Sequence, residues 1–294
     1  MRYFLYVYIS MATPCKPQMV TQQDRVMEHT SMKNPLTGHV QVNIPYRMLK
    51  EGYLDKFLEY GLNPEIGFDA VALDTVSVSE AEEIAEQFQN AGRTITLHGP
   101  FMDLSPGSPD LDIREVSRKR FDQLASLVPV FKPKTVVCHT GYDHKRYWAM
   151  REQWIENSLQ TWEPLAAAFK REGACLMLEN VYEKTPLEIL PLIQNLKPHG
   201  VGFCLDIGHQ AVFSTVSLSQ WVKSMSMHLQ QLHLHDNNGE QDDHWALGLG
   251  NIDIQRLFKD LDSLGIHPLA VTLEPHREED LGPSLEYLVP IWPW

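Results

Sequence analysis

"VGFCLDIGH", residues 201–209, is a short apolar run that ends in Asp206 and His209. It lacks the polar alternation of a strand with one wet face, so it reads as a strand covered on both sides. "SLSQWVKSMSMHL", residues 217–229, follows it with helical spacing. The same strand-then-helix pair recurs along the chain. "HVQVNIP" (39–45) precedes the helical "YRMLKEGYLDKFLEYG" (46–61), closed by Gly61. "PEIGFD" precedes "SEAEEIAEQFQNAG", whose Ser79 is the expected N-cap before an acidic first turn. "RTITLHG" precedes, after a long loop, the helix "IREVSRKRFDQLASLVPVF". "KTVVCHTG" precedes a helix from Arg151 to Glu172, and "ACLMLEN" precedes "PLEILPLIQNL". "LQQLHLHD" leads to "DIQRLFKDLDSLG", and "LAVTLEP" to a short helix over Pro283–Val289.

Alternation of this kind predicts an α/β fold, a parallel sheet wrapped by helices, and eight units over about 250 residues predict a closed (β/α)8 barrel. An open doubly wound sheet would show a Gly-rich phosphate turn after the first strand, and "NIPYRML" has none. The expected organisation is a single barrel domain over 37–294, preceded by an extension over 1–36. The opening "MRYFLYVYIS" has one Arg and a short apolar run but no convincing cleavage context after it. Met32 is an alternative start, since regular patterning begins only at His39.

Net charge is -13 over 294 residues, which disfavours indiscriminate nucleic-acid binding. Bound divalent cations would offset part of that charge. No apolar run reaches the roughly 18 residues of a membrane helix. The four cysteines, Cys15, Cys138, Cys175 and Cys204, show no CxxC spacing, and three lie in apolar runs. Reduced, packed thiols in a cytoplasmic protein are the expectation.

In such a barrel, chemistry sits where strands end, at the carboxyl face. Strands three to eight are expected to end in His98, His139, Glu179, Asp206, His233 and Glu274. His, Asp and Glu make up about one residue in six, so six such ends in a row arise by chance on the order of once in ten thousand. Imidazoles and carboxylates without thiolate suit Zn, Mn or Fe in a site with open positions. Strand parity sends Cys175, Met177 and Glu179 one way, and Cys204 with Asp206, so these thiols should lie inside the barrel beneath the site. Parity does not separate His233 from His235. In "DIGH", Asp206 and His209 can face one cavity. In "DDHWALGLGN", an extended loop would point Asp242 and His244 the same way, with Gly248 and Gly250 turning the chain back.

The motifs "LHGPF", "CHTG", "LEN", "LDIGH", "LHLHD", "DDHWALGLGNI" and "LEP" resemble those of the endonuclease IV and xylose-isomerase-like barrels, the AP endonuclease family 2, over residues 39–290. The resemblance implies nine ligands for two or three divalent ions, Zn or else Mn or Fe. His98, His139 and Glu179 would serve one ion, and Glu179, Asp206, His233 and Glu274 a second. His209, Asp242 and His244 would serve a third. It also favours His233 over His235, and implies Glu179, Glu274 and His209 as catalytic groups. Sugar isomerases and epimerases of this superfamily use only the second set, and a metal-dependent sugar or sugar-phosphate isomerase or epimerase is the alternative reading. The full set therefore points to phosphodiester hydrolysis, where several cations generate hydroxide and neutralise phosphate charge. The loops "FMDLSPGSPD" and "GYDHKRYW" resemble those of cobamide-remodelling phosphodiesterases, so a phosphorylated small molecule is the expected substrate. An AP-site DNA endonuclease is a further alternative, less favoured because Phe101 stands where endonuclease IV offers a Tyr toward DNA.

Phe101, His144, Lys145 and Arg146 are candidate substrate contacts, the last three as a basic cluster after the fourth strand. His276 and Arg277 are expected in surface salt bridges. Trp148, Trp154 and Trp162 are expected to pack, and the tail "LVPIWPW" to cover the barrel bottom or a subunit contact.

Overall fold

The computed structural model describes residues 34–294. The expected extension over 1–36 falls almost wholly outside them. The strands are β1 (Gln41–Pro45), β2 (Asn63–Gly67), β3 (Thr96–His98), β4 (Thr135–His139), β5 (Cys175–Glu179), β6 (Gly202–Asp206), β7 (Leu229–Leu234) and β8 (Ala270–Leu273). All neighbours are parallel, and β1 pairs with β8 to close the barrel. The principal helices between and after them are α1 (Leu54–Tyr60), α2 (Val78–Asn90), α3 (Leu111–Phe131), α4 (Arg151–Arg171), α5 (Leu190–Leu196), α6 (Leu218–Met225), α7 (Ile254–Ser263) and α8 (Leu281–Leu288). None of the described helices is long and apolar enough to cross a membrane.

Two local expectations are corrected. The cap of α2 is Ser77, not Ser79: its hydroxyl accepts from the Glu80 amide at 3.2 Å, the third-residue spacing a cap requires. The continuous helix read over 46–61 breaks at Gly52, whose φ of +103° separates Tyr46–Met48 from α1. Gly61 does end α1 in the left-handed region.

Most of the core lies between the sheet and the helices, where Trp154, Trp162, Trp221, Phe88, Phe131 and Phe169 are fully buried. Trp148 departs from the expectation of packing and is exposed. Trp292 and Trp294 of the tail pack edge-on against Phe258 of α7. Inside the barrel, Val137, Met177 and Cys204 form a separate small cluster with Cys175 against it, as strand parity requires. The cysteines of the described residues are free thiols.

One irregularity positions the mouth. Phe203 pairs with Leu229 but Cys204 pairs with Gln231, so β7 carries one extra residue at Gln230. Because side chains alternate, that insertion swaps the inward and outward sets of the rest of the strand. It brings His233 level with Asp206, on the inner face. His139 likewise lies level with Glu179 across β4 and β5.

Candidate metal centre

Six imidazoles (His98, His139, His209, His233, His235 and His244) and four carboxylates (Glu179, Asp206, Asp242 and Glu274) converge at the carboxyl end of the barrel. Five overlapping groups of them have ligand atoms within 4.8 Å of one another. His98, His139 and Glu179 form one, with His98 Nε2 at 3.1 Å and His139 Nε2 at 3.5 Å from Glu179 Oε2. Glu179, Asp206 and His233 form the next, and Glu274 joins it through His233, whose Nδ1 is 3.0 Å from Glu274 Oε1. His209, His235, Asp242 and His244 form a group on the loop side.

Three of the imidazoles are held alike. His98 Nδ1 meets the Gly99 carbonyl at 2.9 Å, His209 Nδ1 the Asn180 carbonyl at 3.0 Å, and His244 Nδ1 the Glu274 carbonyl at 3.0 Å. A carbonyl only accepts, so Nδ1 carries the proton and Nε2 presents its lone pair to the cluster when the ring is neutral. That is the arrangement of a metal-binding histidine. Glu179 Oε1, His233 Nδ1 and Asp242 Oδ1 are buried without a hydrogen-bond partner. Unsatisfied buried acceptors of this kind are what a cation would satisfy, so the residues present fit divalent metal.

The electrostatics agree. Burial pushes the Glu179 carboxyl up, but His233 and His139 outweigh it and hold it well below the usual range. Asp206 is lowered against its own burial by His209 and His235. Burial lowers His209 and His233, yet the neighbouring carboxylates raise both well above the ordinary value. Burial drives His139 the other way, to about 3. Protons on imidazole thus balance the buried carboxylates, the task a cation would assume.

The loop after β7 comes back by a tighter route than an extended strand. His244 has φ +51°, the left-handed region that a non-glycine residue adopts only under constraint. Its ring is stacked between His235 (3.6 Å, 4° between planes) and His276 (3.8 Å, 10°). His276 is thus a rim contact of the centre rather than a salt-bridge residue, whereas Arg277 does pair with Asp280 at 2.9 Å. Asp236 pins the loop by accepting from the amides of Gly248 and Ile252. At Gly250 a Cβ would sit 2.2 Å from the Asn237 carbonyl oxygen, so the return requires glycine.

His235 stands in the cluster beside His233, its Nε2 3.2 Å from both Asp206 oxygens and 3.7 Å from Asp242 Oδ1. Space for it exists because residue 208 is glycine: a Cβ there would lie 1.8 Å from His235 Cε1. Sequence reasoning set His235 aside, assigned His276 to a surface salt bridge, and passed over the buried Glu65 of β2. Glu65 had a signal, a lone acid inside an apolar strand.

Phe101 stacks on His139 at 4.6 Å and meets His98 edge-on at 5.9 Å, walling the imidazoles. His144, Lys145 and Arg146 lie on the short helix His144–Tyr147 after β4. His144 Nδ1 is engaged by Glu188, Arg146 pairs with Asp143 at 3.3 Å, and Lys145 is exposed. Their partners belong to the loops after β4 and β5 rather than to the cluster.

The family model described as xylose isomerase-like TIM barrel matches residues 64–291. The chain belongs to that family. Two uncharacterised proteins of Methanocaldococcus jannaschii are similar to this xylose isomerase-like barrel. One is 24% identical over 66% of this chain and 68% of its own length, the other 28% identical over 66% and 75%. Among solved structures, a D-tagatose 3-epimerase-like protein superposes with TM-score 0.71 at 20% identity, covering 85% of this chain and 95% of that one. A Thermus thermophilus protein whose crystals were soaked in zinc chloride gives 0.72 at 23%, covering 86% and 97%. A D-psicose 3-epimerase of Clostridium cellulolyticum, solved with D-tagatose, gives 0.68 at 17%, covering 84% and 96%. At these identities the likeness establishes the fold.

Proposed function

We propose that this barrel is a metal-dependent hydrolase of a phosphodiester in a small phosphorylated, cobamide-like molecule. The observation that carries the reading is that the central set Glu179, Asp206, His233 and Glu274 is flanked by two further ligand groups, His98 with His139 and His209 with His235, Asp242 and His244. A single-ion isomerase has no use for the flanking groups. Ions held there would supply a hydroxide near neutral pH and offset charge on the phosphate and leaving oxygen.

The chain's own residues divide the remaining work. Glu179 faces two of the groups through its two oxygens and joins them. Glu274 is the most open of the strand-end carboxylates at 9% exposed, against 1% for Glu179, and is placed to take the proton as water adds to phosphorus. The bond from phosphorus to the leaving oxygen then breaks, and that oxygen takes up a proton. His209 links the second and third groups, with Nε2 3.2 Å from Asp242.

A second reading, a metal-dependent sugar or sugar-phosphate isomerase or epimerase, is favoured by the epimerases among the similar structures. In that case Glu179 and Glu274 exchange a proton beside a carbonyl. The two readings separate in one experiment: metal count on freshly purified protein, with assays against a model phosphodiester, a cobamide and a panel of ketoses. Two or three ions per chain with phosphodiester cleavage support the proposal. One ion with ketose epimerisation and no cleavage replaces it with the second reading.

A further inference from the structure

Glu65 is the buried acid of β2, a strand that brings no ligand to the mouth. Its side chain is fully buried, and its two oxygens do different work. Oε2 accepts three hydrogen bonds, from Thr96 Oγ1 at 3.0 Å, Gln231 Nε2 at 2.8 Å and Thr272 Oγ1 at 2.9 Å. Each donor stands two residues before a strand-end ligand: Thr96 before His98, Gln231 before His233, Thr272 before Glu274. Two residues along a strand is one layer down on the same face, so the three donors form a polar layer directly beneath the ligands. Three donors on one oxygen fix the carboxylate and leave Oε1 free. Oε1 lies 3.0 Å from His233 Nε2.

An ionised carboxylate only accepts, so Oε1 at this distance favours the hydrogen on His233 Nε2, which Gln231 Nε2 also approaches at 3.4 Å. Nδ1 is then the atom with the lone pair when the ring is neutral. It points at Glu274 Oε1 (3.0 Å) and Glu179 Oε1 (3.3 Å), with no hydrogen-bond partner of its own. This reverses the pattern of His98, His209 and His244, which anchor Nδ1 on a backbone carbonyl and turn Nε2 inward. Those three sit at or after strand ends, where loop carbonyls are within reach. His233 lies within β7, where carbonyls are engaged in strand pairing, so a side chain from across the barrel takes that part.

We propose that Glu65 is a positioning residue for the metal centre: it holds His233 in the Nε2-protonated tautomer and aims Nδ1 between Glu179 and Glu274. The inference rests on the centre binding metal, but not on which reaction follows. It has a specific consequence for Glu65→Gln. The amide oxygen would stay with Thr96, Gln231 and Thr272, turning the NH2 toward His233. Nε2 would then have to accept, and the proton would move to Nδ1, blocking the ligand position.

The test uses Zn2+ alone, with the full-length protein stripped and reloaded. Zinc affinity is measured by competition with a chelator, and the His233 tautomer by 15N NMR of labelled imidazoles, assigned with His233→Asn. The expected result is an Nε2–H signal for His233 in the zinc-loaded wild type, and zinc affinity in Glu65→Gln lowered roughly 10- to 100-fold with circular dichroism unchanged. A wild-type His233 protonated at Nδ1, or undiminished affinity in Glu65→Gln, overturns the inference while leaving the metal centre standing. Failure of the wild type to bind zinc overturns the metal-centre reading and this inference with it. If Glu65→Gln does not fold, the wild-type tautomer alone decides.

Discussion

Asp242 Oδ2 lies 3.2 Å from His209 Nε2, joining the loop after β7 to the turn after β6 across the mouth of the barrel. His244 Nε2 approaches the same oxygen at 3.4 Å. Two loop residues, Asp242 and His244, therefore complete a group whose other members, His209 and His235, sit just past the ends of β6 and β7. The loop is tied down by hydrogen bonds to Asp236 and by the buried Ala246 and Leu247, anchors that do not depend on the His244 ring.

His244→Ala should for that reason leave the fold intact and damage chemistry. We expect an unchanged circular dichroism spectrum and a loss of phosphodiester cleavage by several powers of ten. A cation clamping a developing oxyanion is worth several kcal/mol, and about 1.4 kcal/mol is tenfold in rate. Retention of most of the activity would remove the loop group from the mechanism, as an enzyme using only the central set would tolerate the change.

Glu179→Ala should abolish most metal binding, since its two oxygens face His98 and His139 on one side and His209 and His233 on the other. Elemental analysis of the purified variant measures this directly. Metal content equal to wild type would show that Glu179 is not shared between groups.

Gly208→Ala should displace the His235 ring, because the new Cβ would occupy its place. Overpacking of this kind costs about 1–3 kcal/mol. We expect a lowered Tm and weaker binding of the ion on the loop side, read by metal titration. A variant that matches wild type in both would mean that the ring moves aside without consequence.

The metal-free protein should lose stability as pH rises. His98, His209, His233 and His244 are all raised in the folded state. Their contribution is complete below the unfolded value of about 6.5 and is lost as pH climbs through the folded values. His139, lowered to about 3, opposes this only on the acid side, between about 6.5 and 3. Metal requires neutral imidazoles, so its affinity should rise over the same alkaline range. Thermal melts with and without Zn2+ from pH 6 to 9 should therefore diverge, and parallel curves would contradict the charge balance described.

Glu183, beside the metal ligands but not among them, offers a separate test. Burial pushes its carboxyl up to about 7, although Thr140 Oγ1 and the Val181 amide both donate to it. A carboxyl raised on folding costs stability progressively from its unfolded value near 4.3 up to about 7, by ~4 kcal/mol at most. Glu183→Gln should raise Tm at pH 8 more than at pH 5. An equal effect at both would show that Glu183 titrates normally.

The sequence by itself determined the barrel and most of its mouth. Strand and helix periods are local properties of the chain, so eight alternating units were legible, and "LHG", "CHTG", "LEN" and "LDIGH" placed ligand-type residues where parallel strands end. What it left open were matters of register, contact and local geometry. Ser77 and Ser79 differ as caps only by which hydroxyl reaches an amide three residues on. His233 and His235 share a strand face, and the bulge at Gln230 that turns that face inward depends on pairing with β6, distant in sequence. His235 joins the cluster through the space above Gly208, and His276 through a stack on a residue more than thirty positions away. Glu65 acquires its place from Thr96, Gln231 and Thr272, drawn from three strands that meet only when the barrel closes. Periodicity is written along the chain, but hydrogen-bond partners and free volume are set across it, and only the closed barrel assigns them.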